Sequence, residues 1–402
     1  MTAQPILKRE KKLAKLDVMQ RMAEVERDHG IGRYRQIWEI LKLRFGPKKG
    51  ATHEYYLNGF YRPDLSPAQK NALYTLHTNK QLNTRLSPLD LGAVPALLAD
   101  KVLCGAYLQG FGFPVPETYA VYGGDMGYPG IPHLRTPDEL EDYLRSATYP
   151  MFGKARAGSL GIGGAILLNC EGDTLALGNG QHVSVAAFAA EIAQYLGAGY
   201  ILQQFVRQRP EAEAITGLAV GILRIVTVLT GKGPEFYYAV WRLPAKGAMS
   251  DGALGDGIEG GRTGALYIDP ETGRTSAAGA PQTSQDPEIV SDVTGAALLN
   301  VEVPDFKALV TLCLDVHRAF PGHGVLGFDV IQGQSGPIIC EINANPHHSI
   351  VQKALGRPLD EPKRQAILDA ALEHVARRRA QMQDKTKKEA ARKRSGQLAE
   401  VG

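Results

Sequence analysis

The stretch from Gly324 to Pro346, Gly-Val-Leu-Gly-Phe-Asp-Val-Ile through Cys-Glu-Ile-Asn-Ala-Asn-Pro, constrains this chain more than any other. Two apolar, β-prone runs at 326–331 and 338–343 flank a glycine-containing turn at 333–336, a spacing that predicts an antiparallel hairpin. Glu341 and Asn343 are two residues apart, so on a strand they share one face. The turn sets Asp329 opposite Glu341, or within one residue of it. Phe328, Val330, Ile338, Ile339 and Ile342 make this sheet central, where carboxylates without partners are costly. Two carboxylates and one amide converging there suit Mg²⁺, which leaves coordination positions for water and phosphate oxygens, whereas zinc would want His or Cys. The plainer reading is three polar residues on the exposed side of a sheet.

A second constellation lies upstream. Residues 158–164, Gly-Ser-Leu-Gly-Ile-Gly-Gly, closely follow Lys154. Backbone N–H groups with no side chain in the way can wrap phosphate oxygens, and a lysine one strand back can neutralise them. A Walker A loop is ruled out, because Lys154 precedes Ala155 rather than Ser or Thr. The dinucleotide fingerprint fails as well, since strands rather than a helix flank the loop. By itself the loop reads equally well as a mobile surface hairpin.

Between and around these motifs the pattern alternates. Residues 5–45 read as helical from Leu16, Met19, Met22, Val25, Ile37, Ile40 and Leu41, broken at Gly30 and Gly32. Ser66-Pro67 and Thr136-Pro137 open further helices, and 101–108 is a short one. Strands are expected at 117–121, 151–155, 165–169 and 200–206, and a hairpin at 223–229 and 236–242. Helices are expected at 185–196, 306–319 and 363–394. The fold class is α+β with antiparallel hairpins, not a doubly wound parallel sheet.

Charge is unevenly placed. The chain is +3 overall, yet residues 376–394 carry net +7 and residues 8–15 net +4, which leaves an acidic body of −8. No aromatics interleave with the basic runs as a single-strand nucleic-acid binder requires, so nucleic acid is not an expected partner and the runs read as solvated helix ends. Four cysteines without a CxxC pair exclude a metal cage or a disulfide framework and point to a reducing cytoplasm. No apolar run is long enough for a membrane span.

Lys154 with its glycine loop, Gln203-Gln204-Phe205-Val206, Leu223-Arg224-Ile225 and Asp329…Glu341-Ile342-Asn343 occur in the order of the ATP-grasp superfamily, which the chain resembles over about 96–350. Tyr55-Tyr56-Leu57, Trp241-Arg242-Leu243 and residues 322–329 make it most similar to the sugar-transfer-associated ATP-grasp proteins. The resemblance implies an ATP-grasp fold whose two α+β subdomains clamp ATP. Residues 1–95 would form a mainly helical region, 96–200 and 201–362 the two subdomains, and 363–402 a basic helical tail. Lys154 would hold the α/β-phosphates, with Gly158, Ser159, Gly161 and Gly163 forming the lid. Gln203 and the backbone of Gln204, Phe205 and Val206 would receive the adenine. Asp329, Glu341 and Asn343 would bind Mg²⁺, and Arg224 would face the γ-phosphate or an acyl phosphate. Lys101 would be a second phosphate ligand, although other members carry this lysine a few residues later, where Gly105 stands here. Gly221-Ile222, Gly252 and His347-His348 depart from the family pattern on the acceptor side.

The activity implied is an ADP-forming carboxylate–amine ligase acting through an acylphosphate on saccharide- or amino-acid-derived small molecules. A phosphotransferase and a non-catalytic ATP-binding scaffold are the alternatives. Arg224 also reads as an ordinary sheet-face ion pair, and His347-His348 as a surface loop. Oligomeric state is not legible, and residues 1–90 are expected to cap the acceptor site.

Overall fold

Aliphatic and β-branched residues fill Ile222–Thr230 and Val325–Gly333, and both runs are buried almost throughout. Two-sided burial of this kind belongs to strands covered on both faces. The computed structural model describes residues 6–7, 17–91, 95–125, 127–157, 163–250, 265–277 and 290–399. In it these two runs are neighbours inside a mixed-length antiparallel sheet.

Two sheets organise the chain. The first contains β1 (Thr118–Tyr122), β2 (His133–Leu134), β3 (Met151–Ala155), β4 (Ala165–Glu171), β5 (Thr174–Leu177), β6 (His182–Ser184) and β7 (Tyr200–Gln204), in the order β2-β1-β7-β3-β4-β5-β6. The second contains β8 (Ile222–Thr230), β9 (Gly233–Arg242), β10 (Ala265–Ile268), β11 (Thr275–Ala277), β12 (Val325–Gly333) and β13 (Gly336–Asn343), in the order β11-β10-β9-β8-β12-β13. Among the described residues, only β1 and β2 pair in parallel. The expected hairpins are present, β8 with β9 and β12 with β13. Strands β5, β6, β10 and β11 carry no periodic signal long enough to read from sequence, and the chain reveals them only as pairings.

Alternation along β8 and β12 sends side chains into two cores. Leu223, Ile225, Phe328 and Val330 face the helices Lys101–Gly110 and Phe306–Arg318, which contribute Cys104, Leu108, Leu309 and Val316. Val226, Val228 and Val325 face the opposite way, onto Leu82, Leu86, Ile350, Val351, Leu368 and Ala371. The first sheet is covered by the helices Pro137–Ser146 and Val185–Ile192 through Leu140, Leu144, Phe188 and Ile192. The helix Lys101–Gly110 ties the sheets together, because its Val102 packs with Val121 and Ile201 of the first sheet while Cys104 and Leu108 join the second.

The N-terminal helices obey their local signals. Gly30 ends Val18–His29 in a left-handed conformation, φ +67°. Ser66 and Gln69 form a reciprocal capping box on Pro67–Ala72. In the helix Arg33–Phe45, however, the apolar residues divide between two faces: Ile40 is buried, whereas Ile37 and Leu41 are exposed. The last helix, Pro362–Ala399, buries Leu368, Ala371 and Val375 and is exposed over residues 379–386. No helix among the described residues is long and apolar enough to cross a membrane.

Candidate active site

The hairpin β12–β13 places Asp329 directly opposite Glu341, with Gly327 opposite Asn343. Between Asp329 and Val330 the register slips, so that Val330 pairs with Ile339 and Cys340 becomes the extra residue of a bulge. On its other side Asp329 pairs with Arg224 of β8. Cross-strand partners share a face, so the three side chains line up across β8, β12 and β13.

Arg224 donates through Nε to Asp329 Oδ1 at 2.5 Å and through Nη2 to Oδ2 at 2.9 Å. Both side chains are nearly buried, at 10% and 11% exposure. Arg242 of β9 adds a second cation, its Nη1 3.7 Å from Asp329 Oδ2. Burial opposes the Asp329 carboxylate, but Arg224 and Arg242 outweigh it and hold its pKa below the usual carboxylate range. Burial likewise opposes the Arg224 charge, and Asp329 more than restores it. Arg224, expected at a phosphoryl group, is thus held in a bidentate ion pair on the sheet, the plainer arrangement that its sequence context also allowed. The sequence marked Arg242 only within the Trp241-Arg242-Leu243 resemblance and not as a site residue, because its approach to Asp329 depends on how β9 lies beside β8.

Two lysines reach the same strand from outside the second sheet. Lys154 of β3 donates through Nζ to the carbonyl of Cys340, the bulge residue, at 3.3 Å. Lys101, at the start of a helix capped by Asp100, places Nζ 3.8 Å from Glu341 Oε2. Desolvation lowers the Lys154 pKa, and the neighbouring Lys101 adds to that, while Cys340, Glu341 and Asp329 work against it. Lys101, Lys154, Gln203, Thr118, Cys340 and Glu341 line one cleft between the sheets. Gly105 lines it too.

The remaining expected residues divide. Gln203 is buried in the cleft wall, and Phe205 and Val206 are buried beyond the end of β7. The N–H of Gln204 is already donated to the Glu117 carbonyl at 2.8 Å, so toward a ligand edge Gln204 offers its carbonyl, beside the backbone of Phe205 and Val206. Gly163 accepts a hydrogen bond from the Tyr200 hydroxyl at 2.7 Å. Its φ is +74°, and a Cβ there would come within 2.6 Å of the Tyr195 hydroxyl, so only glycine suits this anchor. Gly158, Ser159 and Gly161, like Gly252, lie outside the described residues.

Asn343 carries a buried Nδ2 with no hydrogen-bond partner among the described residues. With Glu341 on the same face and Asp329 opposite, the donor set is carboxylate and amide oxygen. A carboxylate offers about four lone-pair directions, so Asp329 can serve Arg224 and a cation together. An amide turned by half a rotation presents oxygen where nitrogen stood. These residues therefore fit a hard divalent cation. Among the described residues no group of three His, Cys, Asp or Glu side chains could hold a metal.

The segment after Asn343 is closed by Asn79, Asn83 and Tyr238, residues the motifs did not flag, around His348. His348 is buried: its N–H donates to Asn79 Oδ1 at 2.7 Å, and its ring contacts Asn83 Oδ1 at 2.9 Å and the Tyr238 hydroxyl at 3.1 Å. Asn83 also donates to the Pro346 carbonyl at 2.9 Å. The helix Leu76–Leu86 thus grips the segment immediately after Asn343, and His348 is an interior residue rather than part of a surface loop. The two asparagines, four residues apart on one helix face, were the only sequence signal for this contact. Gly324 makes the approach possible, because a Cβ there would lie 1.9 Å from the Leu86 carbonyl oxygen.

Two layered units closing on a lysine-lined cleft, with a carboxylate–amide set on a neighbouring hairpin, define an ATP-grasp fold. The chain belongs to the sugar-transfer associated ATP-grasp family, whose model matches residues 79–366. Similar solved structures include the D-alanine–D-alanine ligase of Coxiella burnetii, at 12% identity and TM-score 0.37, covering 73% of this chain and 62% of that one. The N5-carboxyaminoimidazole ribonucleotide synthetase of Thermotoga maritima is 18% identical with TM-score 0.32, covering 63% and 44%. The biotin carboxylase domain of the Hydrogenobacter thermophilus 2-oxoglutarate carboxylase, solved with MgADP, ADP and bicarbonate, is 11% identical with TM-score 0.35, covering 70% and 46%. The chain spans less than two thirds of the length of these structures. No curated protein matches it.

Proposed function

We propose that this protein is an ATP-dependent carboxylate–amine ligase that forms an amide through an acylphosphate, releasing ADP and phosphate. The observation that carries the reading is the convergence of Lys101 and Lys154, from two different elements, on the cleft that Glu341 borders. Two ammonium groups facing one cleft suit a polyphosphate, whose charge they neutralise. Asp329, Glu341 and Asn343 would hold Mg²⁺, which when bound supplies further neutralisation of phosphate charge.

In this reading ATP enters between the sheets, with Lys154 and Lys101 at its phosphates and Gly163 anchoring the end of the lid. Phe205 and Val206 meet the adenine edge, and Gln203 forms part of the wall. A substrate carboxylate attacks the γ-phosphorus, the bond to the β-phosphate oxygen breaks, and ADP leaves. An amine then attacks the acyl carbon and expels phosphate, losing a proton as the amide forms. The chain's contribution is positioning and charge. Arg224, locked onto Asp329, holds that carboxylate in place and lends positive charge to the acceptor side. A carboxylate nucleophile is already ionised at neutral pH and needs no general base, which suits a cleft lined by the cations Lys101 and Lys154.

Isotope transfer tests this. With the substrate carboxylate labelled by heavy oxygen, a ligase places label in released phosphate when both substrates are present. A phosphotransferase instead yields a stable phosphorylated product and no free phosphate, and a nucleotide-binding scaffold yields little of either. AMP and pyrophosphate as products would overturn the mechanism, because they require attack at the α-phosphate.

A further inference from the structure

The helix Arg33–Phe45 has two apolar faces, and only one is used. Gln36, Ile40 and Leu43 are buried against the N-terminal helices. Tyr34, Ile37, Trp38, Leu41 and Phe45 are 91%, 45%, 61%, 47% and 80% exposed. At 3.6 residues per turn these five fall within roughly 100° of arc, on the side away from the core. Single exposed hydrophobics need no explanation, but a continuous stripe holding three aromatics does.

Cations border this stripe on both sides. By the same helical geometry Arg35 and Lys42 lie along one edge, and Arg33 and Arg44 along the other. Arg33 and Arg35 are paired with Glu26 and Glu39. Lys42 and Arg44 have no carboxylate partner among the described residues; the Lys42 ammonium lies 5.1 Å from the Trp38 ring centre and the Arg44 guanidinium 6.0 Å from that of Phe45. The cations and the aromatics are one surface. Residues 33–49 hold six Lys/Arg against Glu39 alone.

We propose that this face docks on an anionic lipid bilayer, with the helix lying in the plane of the interface and not crossing it. Aromatic rings and aliphatic side chains enter the headgroup boundary, while flanking Lys and Arg extend their charges to lipid phosphates. Charge complementarity favours this occupant over a second copy of the chain, because stripe-to-stripe pairing would bring two cationic rims together. The proposal is independent of the ligase reading: it concerns where the protein works, not what it catalyses.

The chain offers its own reporter. It has two tryptophans, and Trp241 is fully buried, so an environment-dependent shift in emission on adding lipid reports Trp38. The full-length protein is mixed with vesicles of phosphatidylcholine containing about 30 mol % phosphatidylglycerol, and with phosphatidylcholine vesicles alone. The expected result is a blue shift and co-sedimentation with the anionic vesicles, weakened by salt and by omission of phosphatidylglycerol. The pair Trp38→Ala and Phe45→Ala, read by co-sedimentation, and separately the pair Lys42→Glu and Arg44→Glu, should each lower partitioning by at least about tenfold. Their melting temperatures should stay near wild type, since all four side chains are exposed. Failure of the wild-type protein to bind anionic vesicles overturns the proposal, as does undiminished binding by the Trp38/Phe45 variant, which would assign binding to the basic termini. A wild-type dimer that the same variant converts to monomer, with no vesicle binding, would assign the stripe to self-association and overturn it as well.

Discussion

Replacing Asp329 by Asn should destabilise the fold by about 3–5 kcal/mol, the loss expected when one partner of a buried ion pair is removed and the other stays. The magnitude follows from the surroundings. Both side chains of the Arg224–Asp329 pair are about nine-tenths buried, two hydrogen bonds join them at 2.5 and 2.9 Å, and Arg242 stands 3.7 Å away. Asn keeps the shape and one acceptor but removes the carboxylate charge that the Arg224 guanidinium is paired with. An exposed pair would yield only about 0–1 kcal/mol, so the two cases are well separated. Urea unfolding at constant slope is the assay, with Arg224→Met, Asp329→Leu and their combination completing a double-mutant cycle. The combined variant should be less destabilised than the sum of the single ones, because neither member of the Arg224–Asp329 pair is then left facing a missing partner. Acid titration of the wild type supplies a second readout. The Asp329 pKa is lowered in the folded state, so its stabilisation is complete above the unfolded value of about 3.9 and is lost as pH falls through the lower folded value. A cost under 1 kcal/mol for Asp329→Asn, or strict additivity in the cycle, would refute the account of this residue as the keystone of a buried pair.

Other perturbations separate chemistry from architecture. Glu341→Gln and Asn343→Ala should each lower Mg²⁺-dependent turnover by roughly a hundred- to a thousandfold with melting temperatures near wild type, and wild-type turnover at low Mg²⁺ in both would remove these residues from the metal set. Lys154→Ala should weaken binding of a non-hydrolysable ATP analogue in calorimetry; unchanged affinity would make the lysine structural. His348 is buried and burial lowers its pKa to about 3, so between the unfolded value of about 6.5 and that point the unfolded chain binds the extra proton. Its contribution to stability therefore declines as pH falls through that window, by up to about 1.4 kcal/mol per unit, and His348→Gln should flatten the slope. Truncation after Arg379 should leave the melting temperature and turnover nearly unchanged, since residues 379–386 are exposed and bury no stripe; a large loss would show that the tail packs on the body.

Local information carried much of this protein. The turn at 333–336 determined the hairpin and brought Asp329 to within one residue of Glu341, because in a hairpin the turn sets the register; the bulge at Cys340 then sets the two directly opposite, where the turn's own register would have paired Asp329 with Cys340. Thr136, Ser66 and Gly30 announced their helix ends through hydrogen bonds or backbone angles that need no distant partner. The order of Lys154, Gln203, Arg224 and Asp329…Asn343 along the chain was by itself enough to suggest the ATP-grasp fold. What escaped were relations between residues far apart in the chain. The Lys154 ammonium meets the Cys340 carbonyl only because a bulge interrupts the pairing of Cys340 and another sheet lies across the cleft. Arg242 approaches Asp329 through strand order, and His348 is interior because Asn79 and Asn83 arrive from a helix some 265–269 residues away in sequence. The apolar spacing of Arg33–Phe45 was legible as a helix, but not which of its faces the core would cover. Periodicity reports that a face is apolar; only packing decides whether that face meets the core or is left outward, as Ile37, Trp38 and Leu41 are here.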